Sequence, residues 1–288
     1  MFLGVSVCMT TYNQEKYIAD AIESVLFQKT TFPVQLVIGE DHSTDKTLDI
    51  CRHFMDLYPS IVINHRIVNL GLARNLSLVW KECKGKYIAI LEGDDLWTSP
   101  YKLQKQVELM EQHLEYSMCF TRAVARNERI PEYHRTFPPR ENSKLSLTIT
   151  DTIRHNLMAN CSVMYRGGII PELPSWMLDL PYCDLPLHCL HLLCGRSGYI
   201  PESMAVYRMS NESCFENKPL VERIRISTKV YESMSKNLPS PYSEQARNTL
   251  IMMYIGLVFY DFCKLPIKVK LTGWTIALEE LDHLRRVR

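Results

Sequence analysis

The chain has 288 residues, 46% of them hydrophobic, so it can bury one large core or two medium ones. This composition excludes a disordered or fibrous protein. Lys and Arg number 33 against 32 for Asp and Glu, and the net charge of +1 gives no reason to expect nucleic acid or an acidic membrane as the main partner.

The cysteines and the apolar runs indicate in which cellular compartment the protein is expected. The ten cysteines are scattered, several within apolar runs where a thiol behaves as a small hydrophobe, which favours a reducing cytosol over a disulfide framework. The opening MFLGVSVCMTTYN lacks a basic leader, so we interpret it as a strand rather than a signal peptide. The apolar run at 250–260 is shorter than the about 20 residues of a membrane-spanning helix. We expect a cytoplasmic protein and leave open peripheral contact with the inner face of a membrane.

The first 120 residues alternate between strand-like and helix-like patterns. Five short apolar runs predict buried strands, and the segments between them place apolar residues on one helical face, as Ile18, Ile22 and Val25 do. The alternation predicts an α/β protein with a mostly parallel, Rossmann-like sheet flanked by helices. The five predicted strands are VSVCM (5–9), VQLVI (34–38), IVI (61–63), YIAIL (87–91) and SMCF (117–120).

The pattern loosens after about residue 125. The stretch 126–146, rich in Pro, Arg and Glu, predicts a long loop. A strand at CSVMY, a helix near DLPLHCLHLLCG and strand-like GYI and MAVYR follow. From about residue 217 the chain is predicted to be helical, ending in the basic, amphipathic GWTIALEELDHLRRVR.

Polar clusters follow the first four predicted strands, where sheets of this kind bind ligands. The fourth, LEGDDLW, holds Glu92, Asp94 and Asp95. The next helix is predicted to begin around Ser99 to Lys102, so helix capping does not account for all three carboxylates. Clustered hard oxygen ligands suit Mg²⁺ or Mn²⁺, which share their coordination with substrate phosphates.

The other clusters carry weaker signals, and each also fits a structural role. Tyr12 offers a ring face on which a base could stack. Asp41 follows the second strand, where it could accept hydrogen bonds from a base or ribose. Arg74 lies one turn into a helix after Gly71 and could pair with a phosphate, although an exposed helix arginine fits as well.

Taken together and in order, TTYN, GEDHSTD, NLGLARN, EGDD and the following KLQKQV resemble the inverting family 2 nucleotide-sugar glycosyltransferases over about residues 4–110. The resemblance implies a glycosyltransferase A type fold, a nucleoside diphosphate sugar donor, UDP-linked in our prediction, and a divalent metal, Mn²⁺ or Mg²⁺. It implies nucleoside contacts at Thr10, Tyr12 and Asp41 and a nucleotide-side contact at Arg74. Asp94 is assigned to metal and diphosphate, and Asp95 to the metal.

The chain departs from the family pattern at several positions. Glu92 stands where the family usually has Asp, and Glu40 and His42 replace the commoner Asp and Gly around Asp41. CDLPLHCLHLLCG resembles a family segment whose aspartate is the general base, which makes Asp184 the catalytic candidate. Leu185 replaces the usual Trp of that segment. Asp179 is the alternative base, and a helix cap is the structural alternative for Asp184.

The predicted organisation is a nucleotide-sugar-binding half at 1–125, an acceptor-binding half at 126–215 and a helical extension at 216–288. The expected partners are the donor and a saccharide or lipid-linked saccharide of surface polysaccharide biosynthesis, with a homodimer left open. Two alternatives remain. A sugar nucleotidyltransferase would carry a glycine-rich loop after the first strand, and the segment TTYNQEKY has no glycine there. The other alternative is a non-catalytic module that binds a nucleotide sugar or a glycan. The Cys and His residues of 183–194 lack the usual zinc spacings and predict a helix with buried thiols.

Overall fold

The computed structural model describes residues 2–128, 130–140, 146–209, 215 and 218–263. Within these ranges strands and helices alternate through the first half, as the sequence predicts. The strands are β1 (Phe2–Thr11), β2 (Val34–Glu40), β3 (Ile61–His65), β4 (Gly85–Ile90), β5 (Leu96–Trp97), β6 (Tyr116–Asn127), β7 (Ile130–Phe137), β8 (Val163–Arg166) and β9 (Arg196–Met209). The helices are α1 (Ile18–Leu26), α2 (Thr47–Leu57), α3 (Leu72–Glu82), α4 (Lys102–Gln112), α5 (Ile149–Arg154), α6 (Asp184–Leu192), α7 (Leu220–Asn237) and α8 (Tyr242–Cys263).

The described strands form one 9-stranded sheet in the order β3-β2-β1-β4-β8-β6-β9-β5, with β7 paired to β6 off this path. β1 to β4 are mutually parallel, and β6 and β9 are parallel to each other. β8 lies antiparallel between β4 and β6, and β5 and β7 are antiparallel to their neighbours. The α/β fold with flanking helices is confirmed, and the sheet is mixed.

Both faces of the sheet are covered, because its central strands are apolar on both sides. In β1, Val7 and Met9 belong to one core cluster, and Cys8 belongs to the other. Helices α1, α2 and α4 contribute side chains to the first cluster, and α3 and α5 to α8 to the second. The apolar runs of β1, β2, β4 and β6 are therefore strands buried on two faces, as predicted, whereas Val62 of the edge strand β3 is 38% exposed.

The predicted long loop at 126–146 is wrong over its first half. β6 continues to Asn127, and β7 folds back on it with Ala123 opposite Phe137. β7 lies at an edge and pairs with β6 among the described strands, and such edges tolerate Pro131 and charged residues. That edge composition is what suggested a loop. Residues 129 and 141–145 of this stretch lie outside the described ranges.

The strand-like GYI and MAVYR segments form the single strand β9. Its pairing with β6 shifts register between Thr121 and Arg122, next to Pro201 of β9, which has no amide hydrogen to donate. The predicted helical extension is confirmed by α7 and α8. The amphipathic end of the chain, from residue 264, lies outside the described residues. Among the described helices, none combines the length and apolar character needed to cross a membrane.

Candidate active site

The loops that follow β1, β2, β3 and β4 are joined by hydrogen bonds at one edge of the sheet. The amide of Asp41 donates to the carbonyl of Thr11 at 3.0 Å, and the amide of Gly93 donates to the carbonyl of Thr10 at 3.1 Å. Leu70, after β3, donates its amide to Asp41 Oδ1 at 2.8 Å. The four polar clusters therefore lie together, as their position after parallel strands predicted.

Asp41 connects two of these loops through its side chain. Its Oδ1 and Oδ2 accept the amides of Leu70 and Gly71 at 2.8 and 2.9 Å, and the residue is 3% exposed. The carboxylate is thus held at the base of the edge between β1 and β3. Tyr12, in the loop after β1, is 43% exposed and presents its ring to solvent.

Arg74 and Asp179 form an ion pair. Arg74 Nη2 lies 2.7 Å and Nε 3.2 Å from Asp179 Oδ1, and the side chains are 51% and 78% exposed. The nucleotide-side candidate and the alternative base are therefore bonded to each other at the surface.

The three carboxylates of LEGDDLW occupy different environments. Asp95 is 1% exposed, and its Oδ1 accepts the amide of Arg208 in β9 at 2.8 Å. Burial, with the charges of Asp94 and Glu92, raises the pKa of Asp95 well above its ordinary value. Asp94 is partly exposed. Such crowding favours binding of a cation, which would offset the repulsion.

Glu92 faces a cleft instead. It accepts a hydrogen bond on Oε1 from Asn160 Nδ2, and its buried Oε2 has no hydrogen-bond partner among the described residues. Burial raises the pKa of Glu92 to about 7, and the charges of Asp94 and Asp184 act in the same direction. Glu92 and Asp184 are therefore near enough to interact electrostatically.

The cleft has an empty volume of about 1240 Å³, part of it open to solvent. Its polar lining residues include Thr10, Glu92 and Asp184, and most of the other lining residues are apolar or aromatic. A shape of this kind suits a small ligand held by a few polar contacts. The remaining lining residues are Cys8, Leu72, Leu76, Ile90, Phe137, Arg154, Asn156, Met158, Ala159, Asn160, Tyr182, Cys183, Leu185, Tyr207, Phe215 and Tyr231.

Asp184 begins α6 and is partly buried at the cleft. Its Oδ2 accepts a hydrogen bond from Asn156 Nδ2 at 2.8 Å, which fixes the orientation of the carboxylate. Burial raises the pKa of Asp184, while the bonds from the Leu185 amide and Asn156 lower it. A carboxylate whose pKa is moved towards neutrality is suited to accept a proton.

Of the residues predicted from the sequence, Thr10 and Asp184 lie together in this cleft. The other predicted site residues lie outside the lining of the cleft: Tyr12, Asp41, Arg74, Asp94 and Asp95. The charge of Asp94 nevertheless contributes to the raised pKa of Glu92.

Sequence reasoning missed Asn156 and Asn160, which bind the two cleft carboxylates. The sequence predicted a strand at CSVMY but gave no direction for it, so it did not place Asn160 at either edge of the sheet. Because β8 runs antiparallel to β4, its beginning lies beside the carboxyl end of β4, next to Glu92. The one signal in the sequence, an amide just before a predicted strand, is too common to single out these residues.

The model of the family described as Glycosyl transferase family 2 matches residues 6–168, which is more than half of the chain. The chain belongs to glycosyl transferase family 2. The matched region contains the strand-end loops and the Glu92–Asn160 contact, while Asp184 lies after it.

Two relatives of this family 2 chain align with more than two thirds of its length. An uncharacterised protein of Mycobacterium tuberculosis is 34% identical over 211 residues, which are 71% of this chain and 58% of that protein. The chain therefore spans less than two thirds of that relative. TuaG of Bacillus subtilis, named for teichuronic acid biosynthesis as a glycosyltransferase, is 29% identical over 222 residues, 74% of this chain and 82% of TuaG.

Solved structures share the glycosyltransferase A type fold of this family 2 chain. TarS of S. aureus, in complex with UDP-GlcNAc, superimposes with a TM-score of 0.65 and 16% identity over 97% of this chain and 80% of TarS. The mannosyltransferase PcManGT of Pyrobaculum calidifontis, in complex with GDP-Man and Mn²⁺, gives a TM-score of 0.64 and 13% identity over 99% of this chain and 87% of PcManGT. At these identities the likeness shows the fold.

Proposed function

We propose that this chain is an inverting, divalent-metal-dependent glycosyltransferase. It moves a sugar from a nucleoside diphosphate sugar to a hydroxyl of a saccharide or lipid-linked saccharide during surface polysaccharide synthesis. The proposed donor is a UDP-sugar. The observation that carries the proposal is the meeting of Asp184 and Glu92 in one cleft at the carboxyl end of β4. That edge is where sheets of this architecture bind their ligands.

The nucleoside would bind at the edge between β1 and β3. Tyr12 supplies an exposed ring face, and Asp41 is held there by two backbone amides. Thr10 lies between this edge and the cleft. The diphosphate would then lie towards Asp94, with Arg74 at the rim once it exchanges Asp179 for a phosphate oxygen.

A divalent cation fits the acidic motif if the substrate completes its coordination. The described residues contain no group of three or more His, Cys, Asp or Glu side chains that could hold a metal by themselves. Asp94 and Asp95 would supply one or two carboxylates, as is usual for Mg²⁺ sites shared with phosphates. When bound, the cation neutralises the charge that develops on the leaving diphosphate.

Asp184 is the proposed general base. The acceptor hydroxyl oxygen forms a bond to the anomeric carbon while the bond from that carbon to the diphosphate breaks. The hydroxyl proton passes to the Asp184 carboxylate, which Asn156 orients. A single displacement from the face opposite the leaving group inverts the anomeric carbon. Asp179 is the weaker candidate because it is 78% exposed and paired with Arg74.

A donor screen tests this function. The unfolding temperature is measured with Mn²⁺ and a panel of nucleoside diphosphate sugars, followed by transfer assays with any sugar that stabilises the chain. We expect at least one donor to stabilise the protein and to release its nucleoside diphosphate, with loss of release in EDTA. Stabilisation without turnover would favour the non-catalytic module, and wild-type turnover in EDTA would contradict the metal role.

A further inference from the structure

Three consecutive residues of one turn are each bonded to the segment that carries the acidic motif. The turn, Asn160–Ser162, is a single 3₁₀ turn before β8. Asn160 donates to Glu92, Trp97 Nε1 donates to the carbonyl of Cys161 at 2.8 Å, and Gln106 Nε2 donates to the carbonyl of Ser162 at 3.0 Å. The acidic motif, β5 and α4 therefore hold the turn at three successive points.

The buried side chain of Lys102 contacts two of these donors. Lys102 is 0% exposed, and its Nζ donates to Gln106 Oε1 at 2.8 Å, which leaves Gln106 Nε2 directed to Ser162. The same Nζ lies 4.3 Å from the centroid of the Trp97 ring, a cation–π contact. Such a network fixes geometry when its members are paired with one another.

Trp97 and Gln106 lie outside the lining of the cleft and bond to the turn that carries Asn160. They are 4% and 0% exposed. Asn160 and Glu92 line the cleft, and each has one buried oxygen, Oδ1 and Oε2, without a hydrogen-bond partner among the described residues. Buried polar atoms of proteins are usually paired, so two unpaired acceptors at a cleft indicate a ligand with hydroxyl or amide donors.

We propose that Trp97 and Gln106 are positioning residues for sugar transfer. By fixing the turn, they set the Glu92–Asn160 pair so that its two free oxygens accept hydrogen bonds from the transferred sugar. This inference rests on the proposed glycosyltransferase function, since it assigns the sugar subsite of the same cleft. In the proposed arrangement the nucleoside diphosphate binds at the edge between β1 and β3 and towards Asp94, so we expect its affinity not to depend on Trp97 or Gln106.

Two variants remove one donor each. Gln106→Glu loses the amide hydrogen bond to Ser162 and retains an acceptor for Lys102. Trp97→Phe loses the bond to Cys161 and keeps an aromatic ring over Lys102. Gln28→Glu is the matched control, because Gln28 donates to Ser99 and accepts from Leu103 at the start of α4 without touching the turn.

The measurement compares kcat for the nucleotide sugar with the Kd for the nucleoside diphosphate alone. We expect kcat to fall about tenfold to a hundredfold in Gln106→Glu and in Trp97→Phe, since misplacement by about 1 Å costs up to that much, with the Kd unchanged. Gln28→Glu should keep the wild-type kcat. Wild-type kcat in both variants, or an equal loss of nucleoside diphosphate affinity, would overturn the inference. Should Gln106→Glu fail to fold, Trp97→Phe decides alone. A wild-type protein that transfers no sugar would refute the proposed function instead.

Discussion

The guanidinium of Arg74 is bonded to the carboxylate of Asp179 through both Nη2 and Nε, at 2.7 and 3.2 Å. Arg74 lies in the first turn of α3, beside the edge where β1, β2 and β3 end, so the pair stands at the rim of the proposed donor site. Exposed pairs of this kind add about 0–1 kcal/mol to stability. Arg74 can therefore leave Asp179 at little cost in free energy. While the ion pair is formed, the Asp179 carboxylate is bonded to Arg74.

The two candidate bases should differ sharply when each is changed. In Asp184→Asn, kcat should fall about a hundredfold to ten-thousandfold, the usual contribution of a general base, with donor affinity retained. Asp179→Asn removes a surface ion pair and should leave kcat within about threefold and the free energy of unfolding within about 1 kcal/mol. Steady-state kinetics and chemical denaturation measure both. Loss of turnover in Asp179→Asn alone would move the base to Asp179.

Variants of the acidic motif should show separate effects on metal dependence and on stability. Asp94→Asn and Asp95→Asn should each abolish the rate increase that Mn²⁺ produces, and Asp95→Asn can still accept the Arg208 amide. Asp95→Ala leaves that buried amide unpaired and should also lower the free energy of unfolding by about 1–3 kcal/mol. The rate is measured against Mn²⁺ concentration and stability by denaturation. Normal metal dependence in both Asn variants would refute the assignment.

The pH dependence of sugar transfer should follow the ionisation of the Asp184 carboxyl group. Its carboxylate must be ionised to accept a proton, and burial raises its pKa, so kcat should fall with acidity at a higher pH than an ordinary aspartate of pKa 3.8 implies. Asn156 stabilises the ionised form, so Asn156→Ala should move this acidic limb to higher pH still. The profile of kcat against pH is compared for both proteins. A limb that stays in place would mean that another group titrates.

The same shift predicts a stability effect with a defined sign. A folded-state pKa above the unfolded one means that the folded chain binds more protons, so this residue's contribution to stability decreases as pH rises through the folded pKa. Asp184→Asn should therefore raise the unfolding temperature at pH 8 and change it less at pH 4. Thermal unfolding at both values tests this, and a lower unfolding temperature at pH 8 would contradict the burial argument.

The departures around Asp41 have local structural explanations. Glu40 is 0% exposed, accepts the Ser43 amide on Oε1 at 2.7 Å and lies 2.6 Å through Oε2 from His65 Nδ1. Aspartate is too short to span both, so Glu40→Asp should lower the free energy of unfolding by about 1–3 kcal/mol. His42 has a φ of +63°, so His42→Gly should be neutral or stabilising and His42→Val destabilising. Denaturation curves of the three variants test this account.

The strand-end residues were predictable from the periodicity of the apolar residues and from the position of the polar residues after each apolar run. Thr10, Asp41 and Asp94 each follow an apolar run, and parallel strands bring such residues to one edge regardless of distant contacts. The direction of β8 was not predictable in this way, since an antiparallel insertion depends on pairing that a local pattern does not encode. Asn160 was missed for that reason. β7 was missed because an edge strand need not be apolar.

The different environments of the three carboxylates could not be predicted either. LEGDDLW places them within four positions, but Asp95 bonds to Arg208 and Glu92 to Asn160, residues far away in the chain. The sequence indicated a cation at this place. Tertiary contacts decide which carboxylate faces the cleft.

The anomeric configuration of the product tests the central claim most directly. The wild-type chain is incubated with Mn²⁺, an acceptor and the donor identified by the screen, and the new glycosidic bond is examined by NMR before any further reaction. The account predicts one product whose anomeric configuration is opposite to that of the donor, formed at a rate that Asp184→Asn lowers about a hundredfold or more. A product that retains the donor configuration would contradict a single displacement with Asp184 as base.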